Sequence, residues 1–469
     1  MYISILYVIR VVQTHTDSVR HRLSVRLTDF SDCLTQFSTG CYILINTSKI
    51  NRIVRSMKCL LLFAHESDWL DFKYPELDGL LRMNGLDPVS VYSQEQRAKN
   101  SAFLIANLPN EAVCQSILSR SVTIKAIVQL FSSIKNSTTC DTVDLAQLIE
   151  EVNSNFADTA SEYITSKVSW SLQIESIYAS ITNENKQYFR QQFPCLQTLG
   201  TVNVSNPSLT LWLLLDFKLH EERPVDVLNH ALIPAYFGRL ICHSKNYMRD
   251  VISQFELKKR LYLGPTSLDH SLAFLLSNIA QVRHNDVVYD PFVGTASILI
   301  AMAHYGCLCF GSDIDTRVLH GNMYAGKADR SKDTTKRDIF ANFKAYNLSP
   351  PELIRLDNHA CDRHFKLRQS STATTIDATP TLPALHSPPA DSLSALAGCG
   401  GDATLDGFFD VIATDPPYGI RAGAKKTGRA PHRGQVDYEV TDEQRDDHIP
   451  STQNYPVEEV MLDLMHTAA

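Results

Sequence analysis

The sequence predicts an α/β protein in which small α+β modules precede a doubly wound parallel sheet. Its 469 residues are too many for one compact core, since domains usually hold roughly 100–200 residues. Two blocks in the first half each combine strand-like apolar runs with short helical segments. From residue 264 onward, strands alternate with helices, which is typical of a parallel sheet covered by helices. We therefore expect several domains.

Composition narrows the function classes. A net charge of −7, from 44 basic and 51 acidic residues, excludes a uniformly basic nucleic-acid binder but allows a local basic surface. The eleven cysteines contain no CxxC pair, so we expect no zinc ribbon and assign them as reduced thiols of a cytosolic or nuclear protein. No apolar run reaches the roughly 18–20 residues that a membrane-spanning helix needs.

The first 240 residues divide into three segments. We interpret residues 1–56 as an extension that is unstructured or non-native, because a strand-like run begins just after Met57. Residues 57–140 are predicted to form an α+β domain, and residues 145–240 a second small module. Their predicted elements are strands Cys59–Ala64, Ala102–Leu108, Trp170–Ile174 and Leu209–Asp216, and helices Pro75–Asn84, Asn110–Leu118 and Gln187–Gln192.

Residues 255–469 are predicted to form the large α/β domain. Thr266, followed three residues later by Asp269, predicts a capped amphipathic helix. The predicted strands of the sheet are Asp286–Asp290, Leu308–Asp313, Leu353–Asp357 and Phe408–Thr414. Residues 369–407 interrupt this pattern: 26 of those 39 residues are Ser, Thr, Ala, Pro or Gly, so we expect a disordered insertion.

Two motifs at predicted strand ends indicate a nucleoside-cofactor site. Asp290-Pro291-Phe292-Val293-Gly294-Thr295-Ala296 follows the first strand and opens a helix, where backbone N–H groups can approach a ligand. About 20 residues on, the second strand ends at Asp313, whose carboxylate can accept hydrogen bonds from both ribose hydroxyls. A dinucleotide fits less well, because GxGxxG is absent.

The motif Asp415-Pro416-Pro417-Tyr418 follows the fourth predicted strand. The two prolines fix φ at successive positions, so the corner presents a carboxylate, a carbonyl and an aromatic face together. Methylation of an exocyclic amine needs acceptors for the amine hydrogens and an aromatic surface on which the base stacks. Asp415, Pro416, Pro417 and Tyr418 are therefore the candidate catalytic residues.

With these motifs the sequence resembles the tRNA (guanine-10-N2)-methyltransferase catalytic subunits, which combine an N-terminal domain, a THUMP RNA-binding domain and a Rossmann-like methyltransferase. The resemblance covers Met57 to Ala469 apart from the insertion. Its carriers are Leu60–Gly85, Ser119–Val122, Tyr236–Leu240, Gly264–Asp269, Asp290–Ser297, Gly311–Asp315 and Asp415–Arg421. The last three belong to amino-methyltransferases generally, and the N-terminal blocks make the match specific.

The resemblance implies which residues bind S-adenosylmethionine. It assigns Asp290, Phe292, Gly294 and Asp313 to the cofactor and places Thr266 and Ser267 at its border. The third strand leaves the adenine contact open among Asp357, Asn358 and His359. Ala296 stands where the family usually has a second glycine. The resemblance further implies methylation of guanosine 10 in tRNA, and a small zinc-binding activator subunit as a heterodimeric partner.

A basic segment follows the catalytic corner. Arg421, Lys425, Lys426 and Arg429 lie between residues 419 and 434, which contain no acidic residue. These side chains are candidates for contact with tRNA phosphates, and a solvated loop is the alternative.

Three alternatives remain open. A methyltransferase sheet of this class has seven strands and only four are visible, so we expect a C-terminally truncated domain whose fourth strand is an unpaired edge. The chain is then either an enzyme whose activity needs further strands or an inactive RNA-binding fragment. The Asp-Pro-Pro-Tyr corner also serves adenine N6 and glutamine, which are the alternative substrates.

Overall fold

The computed structural model describes twelve segments of the chain. They are residues 7–10, 56–64, 69–98, 101–132, 143–177, 180–216, 234–264, 267–321, 337–361, 408–417, 423–428 and 451–468. The predicted insertion 369–407 and most of the predicted extension 1–56 lie outside these residues.

The first half of the chain is rich in strands. They are β1 (Tyr7–Arg10), β2 (Met57–Phe63), β3 (Phe103–Leu108), β4 (Ile124–Leu130), β5 (Val143–Asp144), β6 (Trp170–Ile177), β7 (Leu209–Asp216) and β8 (Pro234–His243). The helices are α1 (Lys73–Met83), α2 (Pro88–Val91), α3 (Gln94–Ala98), α4 (Glu111–Leu118), α5 (Leu145–Thr159), α6 (Ser161–Ser166) and α7 (Asn183–Gln191).

The second half alternates helices and strands. Its helices are α8 (Met248–Gln254), α9 (His270–Ile279), α10 (Ser297–His304), α11 (Thr316–Leu319), α12 (Ile339–Ala345) and α13 (Val457–Ala468). Its strands are β9 (Val287–Asp290), β10 (Leu308–Asp313), β11 (Glu352–Arg355), β12 (Val411–Thr414), β13 (Lys425–Thr427) and β14 (Thr452–Asn454).

One sheet joins the two modules that the sequence predicts as separate. Its order is β3-β2-β4-β8-β7-β6, with β5 also paired to β8. Strand β8, which is not among the strands predicted from the sequence, pairs antiparallel with β4 on one side and with β7 on the other. At Gly238 a Cβ atom would lie 2.1 Å from the Gln129 carbonyl oxygen, so only glycine permits this close approach.

The C-terminal sheet has the predicted parallel core. Its order is β1-β12-β9-β10-β11, and β9 pairs parallel with both β10 and β12. Helices α9, α10 and α12 cover one face through buried side chains that include Phe274, Leu299 and Phe343. The doubly wound prediction is confirmed for these strands.

Strand β1 corrects two expectations. Tyr7 pairs with Thr414 and Arg10 with Val411 in an antiparallel register, so β12 is not an unpaired edge. Residues 7–10 therefore take part in the fold, contrary to the interpretation of 1–56 as a segment without structure. The physical reason is that the backbone N–H and C=O groups along an open strand require partners, which a short β-prone segment supplies.

The start of α9 differs from the predicted capping box. Asp269 is the N-cap, and its Oδ1 accepts hydrogen bonds from the backbone N–H groups of Ser271 (2.8 Å) and Leu272 (3.3 Å). Thr266 lies outside the described residues. Among the helices that the structure describes, none is long and apolar enough to cross a membrane.

Gly311 in β10 should be intolerant of a side chain. A Cβ atom there would lie 2.6 Å from Val293 Cγ2 and 3.1 Å from Leu299 Cδ1. We expect Gly311→Ala to lower the free energy of unfolding by about 1–3 kcal/mol through overpacking, measured by urea denaturation. Gly423→Ala is the matched control, since nothing lies within 4 Å of its Cβ position, and should change stability by less than about 0.5 kcal/mol. Equal effects would contradict the prediction.

Candidate active site

Four carboxylates stand at the carboxyl ends of parallel strands. Asp290 and Asp313 end β9 and β10, while Asp415 and Asp357 follow β12 and β11. The strand order places them in the row Asp415, Asp290, Asp313, Asp357. With neighbouring strands about 4.8 Å apart, the row spans about 14 Å, and it lies at the edge where open α/β sheets bind ligands.

Asp290 connects two of the predicted motifs. Its Oδ1 accepts a hydrogen bond from Thr414 Oγ1 at 2.7 Å and another from the Phe292 backbone N–H at 3.1 Å. Burial raises the pKa of Asp290 to about 7, and the nearby carboxylates of Asp415 and Asp313 add to this shift. The turn after β9 is thereby tied directly to the residue that precedes the Asp-Pro-Pro corner.

Gly294 and Asp313 are brought together as predicted. The Gly294 N–H donates to Asp313 Oδ2 at 3.1 Å, and the Asp315 N–H donates to Oδ1 at 2.9 Å. Burial raises the pKa of Asp313 although these two bonds act in the opposite direction. Gly294 has a φ of +49°, and the nearest atom to its Cβ position is the Phe292 carbonyl oxygen at 3.9 Å. The turn therefore has open space above its glycine.

The end of this turn is strained and supported. Ala296, in the place of the family's second glycine, is buried and has a φ of 62° in the left-handed region. Thr295 Oγ1 lies 2.7 Å from Ser267 Oγ, which in turn accepts a hydrogen bond from the Gly264 N–H at 2.9 Å. Ser267 thus lies beside the turn, where it was predicted to border the cofactor.

Asp415 has a buried oxygen with no bonding partner among the described residues. Its Oδ1 is shielded from solvent and accepts no hydrogen bond. Burial raises the pKa of Asp415 to about 6. Pro416 is buried and Pro417 half-buried, while Tyr418 lies outside the described residues. A buried acceptor without a donor has a free-energy cost, which a ligand that donates a hydrogen bond would remove.

The three candidates after β11 have side chains with different hydrogen-bond partners. Asp357 Oδ2 accepts hydrogen bonds from the Thr427 N–H (2.7 Å) and Oγ1 (2.6 Å). The Asn358 amide donates to the Tyr455 hydroxyl, and His359 Nδ1 lies 2.8 Å from Asp463 Oδ2. Asp357 alone of the three belongs to the row of carboxylates, so it is the best-placed candidate for the adenine contact.

The segments around the antiparallel strands β13 and β14, together with helix α13, pack on Phe292. This small apolar cluster consists of Ala424, Tyr455, Val460 and Leu464, with Phe292 and Met461 against it. Sequence reasoning missed this cover, and it also missed Thr414, Thr295 and Thr427. A buried hydroxyl at the end of an apolar strand was the only sequence signal for Thr414.

The predicted basic surface stays a prediction, and the structure gives contacts for two of its residues. The Lys426 ammonium pairs with the Glu459 carboxylate and stacks over the Tyr455 ring, so it faces the protein rather than a phosphate. Lys425 is exposed and donates to Asn454 Oδ1 at 2.7 Å, and its assignment stays a prediction. Arg421 and Arg429 lie outside the described residues. No group of His, Cys, Asp and Glu that could hold a metal ion occurs in the part of the chain that the structure describes.

Comparisons with a family model and with a solved structure show what the chain is similar to. The family model described as the Tmrp11 THUMP N-terminal domain matches residues 57–246. TrmN from Thermus thermophilus has a TM-score of 0.33 at 13% identity, covering 66% of this chain and 76% of that chain.

Sequence relatives cover most of the chain. The tRNA (guanine(10)-N(2))-methyltransferase TRMT11 of Mus musculus is 30% identical over 412 residues, which are 87% of this chain and 76% of the relative. The protein of the same name from Gallus gallus is 28% identical over 414 residues, with the same coverage. The chain therefore belongs to the tRNA (guanine(10)-N(2))-methyltransferase TRMT11 family.

Proposed function

We propose that this chain is the catalytic subunit that transfers a methyl group from S-adenosylmethionine to the exocyclic N2 amine of guanosine 10 in tRNA. The observation that carries the proposal is the buried, unpartnered Oδ1 of Asp415, one strand away from the Asp290–Gly294 turn. The names of the relatives supply the substrate and the position.

The residues at the strand ends fit the cofactor. Asp313 keeps lone pairs for ribose hydroxyls beyond the two that it offers to backbone N–H groups. Gly294 leaves open space for close approach of a ligand to the backbone. The four carboxylates repel one another when they are ionised. A cationic ligand offsets this repulsion, so the row suits a cation. When bound, S-adenosylmethionine supplies an electrophilic methyl group on a sulfonium cation.

The corner residues act on the guanine amine. The lone pair of this amine is delocalised into the base, so acceptors must hold its hydrogens and favour tetrahedral geometry at the nitrogen. Asp415 Oδ1 and the Pro416 carbonyl are those acceptors, and Tyr418 stacks on the base. After transfer, the carboxylate of Asp415 accepts the surplus proton. Thr414, held by Asp290, keeps the corner in place.

The N-terminal half is proposed to dock the tRNA. Its match to the THUMP N-terminal domain model and its continuous sheet support a single RNA-binding body. Lys425, which follows the catalytic corner in the sequence, contributes a phosphate contact. The domain limits 57–140, 145–240 and 255–469 remain those predicted from sequence.

A small zinc-binding activator subunit is the proposed partner. It follows from the family resemblance, and exposed apolar side chains on the C-terminal sheet support it: Leu308, Ile354 and Phe408. We place the complex in the cytoplasm, which agrees with the seven free thiols among the described cysteines.

Methylation of defined transcripts tests the function. With labelled S-adenosylmethionine and the activator present, we expect transfer to a tRNA transcript and N2-methylguanosine in its nucleoside digest. Inosine at position 10 lacks only the N2 amine and should accept no methyl group. Label in N6-methyladenosine, or undiminished transfer to the inosine transcript, would contradict the proposal.

Substitutions of Asp415 should separate its role as a hydrogen-bond acceptor from its role as the acceptor of the surplus proton. Asp415→Ala removes the acceptor and should lower kcat by about 10²–10³-fold. Asp415→Asn keeps one acceptor oxygen that does not titrate. In the wild type the carboxylate must ionise, so kcat/KM should rise with pH through about 6 and level off. The Asn variant should retain more activity than Ala and lose this acidic limb, and an unchanged pH profile would refute the assignment.

Asp313 should matter for cofactor affinity, and Asp315 should not. Asp313→Ala removes the proposed ribose acceptor, and we expect the Kd for S-adenosylmethionine in calorimetry to rise about 10–100-fold. Asp315→Ala is the matched control, because that carboxylate caps α11 and pairs with Arg317 instead. Equal weakening by both variants would contradict the role of Asp313.

Asp290 should make the cofactor-free protein less stable at neutral pH than at acidic pH. Its folded pKa is raised to about 7, so its stabilising contribution is complete below about pH 4 and is lost as the pH rises to about 7. Urea unfolding of Asp290→Asn at pH 5 to 8 should show stability rising relative to the wild type. Asp315→Asn should differ from the wild type by a constant amount, because the pKa of Asp315 is lowered and lies below this range. A pH-independent difference for Asp290→Asn would sink the prediction.

A further inference from the structure

A buried carboxylate lies between the two halves of the chain. Glu76 in α1 is fully buried and accepts five hydrogen bonds. Four come from the segment before β4: from Ser121 Oγ (2.9 Å), the Val122 N–H (2.7 Å), the Thr123 N–H (2.9 Å) and Thr123 Oγ1 (2.6 Å). The fifth comes from Asn278 in α9 at 2.7 Å, across the boundary between the halves. An anion with this many donors is well stabilised without a cation.

Both polar atoms of the Asn278 side chain form hydrogen bonds. Its Nδ2 donates both to Glu76 Oε1 and to the Arg120 carbonyl oxygen, each at 2.7 Å. Its Oδ1 accepts from Arg120 Nε at 3.2 Å. No other side chain of this size offers two donors and one acceptor in these directions. We name Glu76, Arg120 and Asn278 the Glu76 joint.

Arg120 extends the joint to a second helix. Its Nη1 donates to the Val282 carbonyl oxygen at 3.0 Å, and its guanidinium lies 3.6 Å from the centre of the Tyr305 ring. Helices α1 and α9 also touch closely, because a Cβ atom on Gly79 would lie 2.4 Å from the Asn278 carbonyl oxygen. The contact therefore has little freedom to slide.

Two helices lead from the joint to the turn Asp290–Ala296, which is proposed to bind the cofactor and is called the cofactor turn. Helix α9 starts after Ser267, which bonds Thr295, and carries Asn278 near its other end about 15 Å away. Helix α10 starts just after Thr295 and is followed by Tyr305. Both helices that begin at the turn thus end at the joint. On the other side, residues 120–123 lead straight into β4, a central strand of the sheet that contains the THUMP-matching region.

We propose that the Glu76 joint fixes the position of the tRNA-docking half relative to the cofactor turn, and that Glu76, Arg120 and Asn278 are positioning residues for the tRNA. This rests on the proposed function. A docked tRNA presents one guanine at a fixed distance from its body, so a loosened joint moves the guanine away from the corner while the cofactor site keeps its own contacts.

Asn278→Asp tests the joint in the 469-residue chain with its activator. It replaces two donors by an oxygen that faces Glu76 and the Arg120 carbonyl. We expect kcat/KM for tRNA to fall about tenfold or more, while the Kd for S-adenosylmethionine in calorimetry stays within about twofold. Ser277→Ala is the matched control: Ser277 is equally buried, and its hydroxyl bonds only within α9, to the Ala273 carbonyl at 2.9 Å. It should leave both values unchanged.

A second variant and a second measurement keep the test decisive. Gly79→Ala forces α1 away from α9 without changing any polar group, and it should give the same selective loss for tRNA. Scanning calorimetry needs no activity: loosening the joint should separate the unfolding of the two halves into two transitions, compared with the wild type.

The outcomes distinguish this inference from the proposed function. A wild type that methylates no tRNA refutes the function, and the joint is then judged by calorimetry and by tRNA binding in a filter assay. Loss of cofactor affinity in proportion to tRNA activity, unchanged tRNA kinetics in both variants, or unfolding that stays as cooperative as in the wild type would each overturn the positioning role.

Discussion

The bond between Thr414 and Asp290 is the interaction on which the candidate site depends. It joins the first and fourth strands of the parallel sheet at their carboxyl ends, at 2.7 Å and away from solvent. The cofactor turn begins at Asp290, and the catalytic corner begins directly after Thr414. A displacement of either motif would remove the side-chain donor of a buried carboxylate, which is costly. One hydrogen bond therefore holds the proposed cofactor turn and the proposed catalytic corner in a fixed relative position.

Most of this site could be predicted from local sequence. The strands ending at Asp290 and Asp313 are short apolar runs followed by turn residues, and parallel strands place their carboxyl ends at one edge whatever else the chain does. The boundaries of β7 and β10 match their predictions for the same reason, since an unbroken apolar run shows clearly where a strand lies. The strand order of the sheet then shows which strand ends lie side by side, which the sequence alone does not specify.

The features that sequence reasoning missed depend on contacts between distant segments. Strand β8 was not predicted, because its Gly238 serves a close approach to Gln129 that no local sequence pattern reveals. Strand β1 pairs with residues four hundred positions away. Lys426 belongs to a basic run, yet its partner Glu459 comes from α13. From the sequence, Glu76 is typical of the exposed face of an amphipathic helix. Its hydrogen bond with Asn278 becomes visible only in the structure.

The electrostatics of the row of carboxylates link cofactor and chemistry. Asp290, Asp313 and Asp415 all have raised pKa values, because burial disfavours their anions and, at Asp290, so does the charge of the neighbouring carboxylates. A cation at this edge reverses that balance, since it favours ionisation of every carboxylate within a few ångströms. In the proposed mechanism, the carboxylate that accepts hydrogens from the guanine amine is thus most readily ionised when the methyl donor is in place. Strain at Ala296 and the open space at Gly294 shape the same turn, so the arrangement that is proposed to bind the cofactor also prepares Asp415 for its proposed role.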